Sequence, residues 1–138
     1  MKNFKIIVLL LSGLALFYAS WSRLISPTTA VFLQTFFENP DNSLDVTIDL
    51  ANEVRGVGAV LFLGGIAALV GTRSENLRLT SFVVTTVVFG GIVIGRSLSI
   101  FIDGIPPSDL VRVAVIEGVL SLLNLFCLVH ILIQHKTS

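Results

Sequence analysis

Apolar residues along this chain gather into four blocks instead of scattering. The blocks cover residues 4–22, 52–72, 79–102 and 108–134, each close to the roughly 20 residues that a helix needs to cross a bilayer. The second block opens with "NEVRG" at Asn52 and carries no charge from Gly56 to Thr72; the third carries none from Leu79 to Gly95. Spanning helices are the reading, because a segment in lipid must satisfy its backbone internally and open strands cannot. The short link "RSENLR" between the second and third blocks predicts an antiparallel hairpin. Ser108 follows Pro106-Pro107 and precedes Asp109, which suits the start of a helix: a capping hydroxyl, then an acid in the first turn.

The first block begins like a signal peptide, with Lys2 and Lys5 ahead of an apolar run and "YAS" as a small-residue cleavage site. The run continues to Trp21, however, and Tyr18 with Trp21 suits a membrane interface, so a retained helix is expected. Between the first two blocks, Ser26-Pro27 reads as a cap and first turn, and Phe32, Leu33, Phe36 and Phe37 form one stripe. That pattern predicts a short interfacial helix over residues 27–37. From Leu44 to Ala51, apolar and polar residues alternate, which suits an extended piece, with helix as the other possibility.

Composition agrees with the pattern. The chain is 54% hydrophobic and 13% charged, with mean hydropathy +0.92, whereas soluble domains carry about a quarter charged residues. The expected fold class is an all-α membrane protein: one membrane domain over residues 1–138, built as a four-helix transmembrane bundle with a short outer interfacial helix between the first and second spans. Lys2, Lys5, Arg73, Arg78 and Lys136 fall on one side and Arg23, Arg55 and Arg112 on the other. The positive-inside rule then places both termini in the cytoplasm, in a bacterial inner (cytoplasmic) membrane. Nine basic and nine acidic residues cancel, leaving no basic surplus for nucleic acid.

The polar residues inside the blocks are the candidate site. Arg96 and Asp103 in "GRSLSIFIDG" are two turns apart on one helix face, with Ser99 between them. Glu117 lies inside the fourth block at about the depth of Arg96, on the antiparallel neighbour, so the two charges should pair. Ser121 and Asn124 share the Glu117 stripe, and Thr85 shares the Arg96 line. Glu53 and Arg55 are separated by about 200°, so at most one faces a common cavity. Gly91 with Gly95, Gly64 with Ala68, and Ala114 with Gly118 are small pairs that admit close helix approach.

"NEVRGVGAVLFLGG" (Asn52 to Gly65), "GRSLSIFIDG" (Gly95 to Gly104) and Glu117 resemble the bacterial domain of unknown function 4345 family of small four-span membrane proteins. Glu53, Arg55, Gly56, Arg96, Asp103, Gly104 and Glu117 match its pattern in order and approximate spacing. The resemblance implies the four-span architecture and these polar positions and brings no reaction.

No catalytic motif or phosphate loop occurs, and Glu117 has no nucleophile beside it, so an enzyme is not expected. Cys127 is the single cysteine and is expected to act as a small hydrophobe. Cys127, His130 and His135 do not make a metal set, and no cofactor is expected. Arg96 with Glu117 is either a structural lock or a binding or proton-handling site. The leading expectation is a protein acting by contacts, as an accessory subunit or homo-oligomer; the alternative is a small-molecule, anion or proton binder or carrier. Its partners are then the lipid bilayer and either a membrane-protein partner, a second copy or an unknown small ligand. Under either reading the candidate site is Arg96, Glu117, Asp103, Glu53, Arg55, Ser99, Ser121 and Asn124.

Overall fold

The computed structural model describes residues 1–25, 27, 44–106 and 108–136. Four long helices account for nearly all of them: α1 (Lys2–Ile25), α2 (Leu44–Arg73), α3 (Glu75–Asp103) and α4 (Ser108–Lys136). All four are long and apolar enough to cross a membrane. The interfacial helix expected over 27–37 lies outside the described residues, apart from Pro27.

Two boundaries differ from expectation. The alternating stretch from Leu44 is helix and joins α2, so α2 starts well ahead of Asn52. No partner strand is present among the described residues, and continuation of a formed helix is cheaper than an isolated strand. The link between α2 and α3 is only Ser74, because "ENLR" belongs to the first turn of α3. Arg78 Nε donates to Gly71 O at 3.1 Å and Ser81 Oγ to Ala67 O at 2.7 Å, tying the hairpin across this tight turn. At the other end of α3, Gly104 ends the helix with a positive φ of 102°, a conformation that a residue without a Cβ adopts freely.

The helices pack in chain order, α1 on α2, α2 on α3 and α3 on α4, with α1 meeting α4 more lightly. Two apolar clusters form the core. Val8, Leu9, Ala68, Phe82, Cys127 and Ile131 draw on all four helices, and Leu16, Leu61, Phe89 and Leu120 make a second layer. Cys127 is fully enclosed in the first, as a small hydrophobe would be.

Glycines on α2 set its distance to both neighbours. A side chain at Gly58 would meet Arg23, one at Gly64 would meet Leu16 and Val88, and one at Gly71 would meet Ser81 and Leu9. The small pairs on the other helices behave differently: a side chain at Gly91, Gly95 or Gly118 would meet nothing within 4 Å. The expected close approach of a helix at Gly91/Gly95 and at Ala114/Gly118 is therefore not made among the described residues, whose close helix contacts involve α2.

This contrast predicts opposite results for one substitution. A Cβ at Gly71 falls 2.5 Å from Ser81 Cβ and 2.9 Å from Leu9 Cδ1, so Gly71→Ala costs about 1–3 kcal/mol by overpacking. Gly118→Ala carries no such cost. Thermal unfolding in detergent separates the two; equal midpoints for both variants would rule out this packing of α2.

Candidate functional site

The inward faces of α1, α3 and α4 each hold polar residues at helical spacing, and these fall into three groups along the bundle. In the middle, Asn124 is fully buried. Its Nδ2 donates to Ser12 Oγ at 2.7 Å and to Leu120 O at 2.8 Å, and its Oδ1 lies 2.7 Å from the Thr85 hydroxyl. That hydroxyl also lies 2.9 Å from Ser81 O and 3.3 Å from Phe82 O, so its single proton is shared among three acceptors. An amide sequestered among apolar side chains is stable only when satisfied in this way. Asn124 thus belongs to a structural node linking α1, α3 and α4, two turns from Glu117. Ser121 is half-buried beside it.

Toward the end where α3 closes and α4 begins, Arg96 and Glu117 meet as their positions predict. Arg96 Nε is 2.5 Å from Glu117 Oε2, and Nη2 donates to Oε1 at 3.3 Å. The shorter contact is ionic without a well-directed hydrogen bond, so the directed bond is the longer one. The side chains are 25% and 11% exposed, so the pair is partly withdrawn from solvent.

Arg23, from the last turn of α1, approaches the same place and interacts electrostatically with both Glu117 and Arg96. Its Nη1 donates to Ala19 O at 2.5 Å, which holds the guanidinium against its own helix. A cavity of about 320 Å³ lies here, lined by Arg23, Glu53, Val54, Val57, Arg96 and Leu110. Its wall therefore combines two guanidinium groups and one carboxylate with branched apolar side chains from α2 and α4. Glu117 stands behind Arg96 as the second acid. Of Glu53 and Arg55, Glu53 is the one that reaches the cavity, in keeping with their near-opposite directions; Arg55 is exposed elsewhere.

Asp103 and Ser99 do not join this group. Both are exposed, and Ser99 Oγ donates to Asp103 Oδ2 at 2.9 Å along the helix. They share the Arg96 line, but the buried residues of α3 end at Phe89. Beyond that point a common line on the helix no longer means a common partner.

Arg23 is the residue that sequence reasoning passed over as a loop-side charge. A signal was present: Leu9, Ser12, Leu16 and Arg23 recur at helical spacing, and the first three are buried. The last member of such a stripe points inward with the rest.

Fold and site together define a protein of four lipid-length helices with a charged cavity near one end and apolar side chains outside. The chain belongs to the family described as domain of unknown function 4345, which it matches over residues 4–128. Comparisons with curated proteins and with solved structures each give no match.

The pair's energetic role has a direct consequence. Removing Arg96 takes its ion pair from a mostly buried carboxylate, which then keeps its electrostatic interaction with Arg23, and costs on the order of 3 kcal/mol. Arg96→Met is therefore strongly destabilised in chemical or thermal unfolding. Arg96→Met with Glu117→Leu recovers most of the loss, because two apolar residues of similar length refill the space. A double variant no more stable than Arg96→Met would show that the pair is not the lock between α3 and α4.

Proposed function

We propose that this is an integral membrane protein, without enzymatic activity, that binds a small amphipathic anion in the cavity between Arg23, Glu53 and Arg96. Membrane insertion is supported by a distribution opposite to that of soluble proteins. Phe101, Ile102, Val87, Leu122 and Trp21 are exposed, whereas Asn124, Thr85 and Ser12 are fully buried. Apolar surface on this scale matches a hydrocarbon surrounding. Lys2, Lys5, Arg73 and Arg78 lie at the end opposite Arg96, which supports cytoplasmic termini and an inner-membrane location.

The observation that carries the binding reading is the cavity itself. At about 320 Å³ it is within the size range of ligand pockets, which are mostly apolar with a few converging polar groups. Arg23 and Arg96 come from different helices, so a carboxylate or phosphate between them takes hydrogen bonds from two planar donors. Val54, Val57 and Leu110 suit the apolar part of the ligand, and Glu53 favours a hydroxyl or amine on it.

A second reading, action through contacts with another membrane protein or a second copy, is favoured by Gly91, Gly95 and Gly118, where an added side chain would meet none of the described residues. Native mass spectrometry of the protein released gently from its own membrane separates the two. A recurring small mass is expected on the wild type and absent from Arg23→Gln, which leaves the Arg96–Glu117 pair in place. A discrete added protein mass in both forms, with no small one, would replace the binding reading with the contact reading.

A further inference from the structure

A second charged cavity lies at the opposite end of the bundle, where α1 and α3 begin and α4 ends. Its volume is about 690 Å³, and Lys2, Lys5, Glu75, Asn76, Arg78 and Gln134 contribute its polar wall. Among the described side chains that line it, three cations face one carboxylate. Glu75 meets Lys2 and, at 3.6 Å, Arg78 Nη1. This leaves Lys5.

Lys5 is 8% exposed, and its hydrogen bond is to the neutral amide oxygen of Gln134 at 3.2 Å. None of the ion pairs among the described residues includes it. A buried ammonium without a counter-ion is costly, and buried charges are ordinarily paired. Arg78, also 8% exposed, sits across the same cavity, held by Gly71 O. The first turn of α3 opens at this place, and Ser74 makes no side-chain cap on it. Unsatisfied N–H groups and the positive end of the helix dipole therefore add to the field of the three cations.

We propose that this cavity binds a phosphate group, as the phosphodiester of an anionic lipid headgroup or as a free phosphate, between Lys5, Arg78 and Lys2. Lys5 supplies a charge with no ion pair among the described residues, Arg78 a second fixed donor, and Lys2 an exposed cation that closes over the group. Glu75 competes with the phosphate for Lys2 and Arg78, so its carboxylate sets the affinity. Basic recesses at helix ends favour anionic headgroups for this reason, each cation near the surface being worth about a fivefold change in affinity.

The test uses the purified full chain in a non-ionic detergent. It is titrated separately with dioleoylphosphatidylglycerol, dioleoylphosphatidylcholine and sodium phosphate, and read by the unfolding midpoint and by native mass spectrometry. The anionic lipid is expected to raise the midpoint with concentration and to appear as a bound mass, while the zwitterionic lipid does neither. Lys2→Gln with Lys5→Gln weakens that response on the order of 25-fold. Glu75→Gln, at an exposed position that does not threaten folding, strengthens it. Arg23→Gln, at the other end, leaves it unchanged, so failure of this site and failure of the Arg23 cavity are told apart. A response to sodium phosphate that Glu75→Gln strengthens identifies a free phosphate as the ligand. Equal responses to the two lipids with none to phosphate, or a Glu75→Gln protein that binds no more tightly than wild type, overturn the proposal.

Discussion

One buried amide sets the terms for the rest of this bundle. Asn124 has no access to solvent, so its donors and acceptor must find partners inside the protein or incur the cost of desolvation. Its bonds to Ser12 and Thr85 fix α1 and α3 against α4 in both height and rotation. A slip of one residue on any of the three helices would turn a partner away by about 100° and leave the amide unsatisfied. Dispersion between apolar side chains does not discriminate registers so sharply, since neighbouring Leu, Ile and Val positions are nearly interchangeable. The directed node therefore selects which apolar side chains form the two core layers beside it.

Once that register is fixed, the two charged sites follow from the same stripes. On α1 the inward face runs Lys5, Val8, Ser12, Leu16, Ser20, with Arg23 beyond; on α3 it runs Arg78, Ser81, Thr85, Phe89, with Arg96 beyond. Each stripe carries a cation at both ends and small polar residues in the middle. Because α1 and α3 run in the same direction, Lys5 comes toward Arg78 at one end and Arg23 toward Arg96 at the other. Like charges brought together demand acids: Glu75 answers at the first end, Glu117 and Glu53 at the second.

The Arg96–Glu117 pair was legible in the sequence because depth and antiparallel order suffice to bring together two charges on helices joined by a tight turn. The choice between Glu53 and Arg55 was legible only as an alternative, since angular separation says that one faces inward without saying which. Asp103 and Ser99 went the other way. Their spacing puts them on the Arg96 line, but no sequence pattern reveals that burial on α3 stops at Phe89. The true beginnings of α2 and α3 were obscured for a related reason. Hydropathy marks where a helix is apolar, whereas a formed helix continues through polar residues such as Asp45 or Glu75 until its backbone bonds are interrupted. Lys5 and Arg23 were read by their position at block ends, as topological charges; their role as the ends of an inward stripe required the periodicity to be carried past the apolar residues.

The two sites differ in a way that follows from electrostatics. At the Arg96 end, two guanidinium groups stand with two carboxylates, so the formal charge is balanced before any ligand arrives. Balanced charge is tolerable where the surroundings are of low dielectric, because the pair's own attraction offsets much of its lost hydration. A ligand there must exchange one hydrogen-bonding partner for another, and selectivity rests on shape and on the apolar wall. At the Lys2 end, three cations share one carboxylate among the described side chains, an imbalance that is sustainable only near water or headgroups and that favours any anion able to reach Lys5. In the membrane orientation proposed above, the neutral site lies toward the outer surface and the cationic one in the inner leaflet, where anionic lipids add to the attraction. Under the two proposals, selective binding belongs to the balanced end and charge-driven attachment to the other.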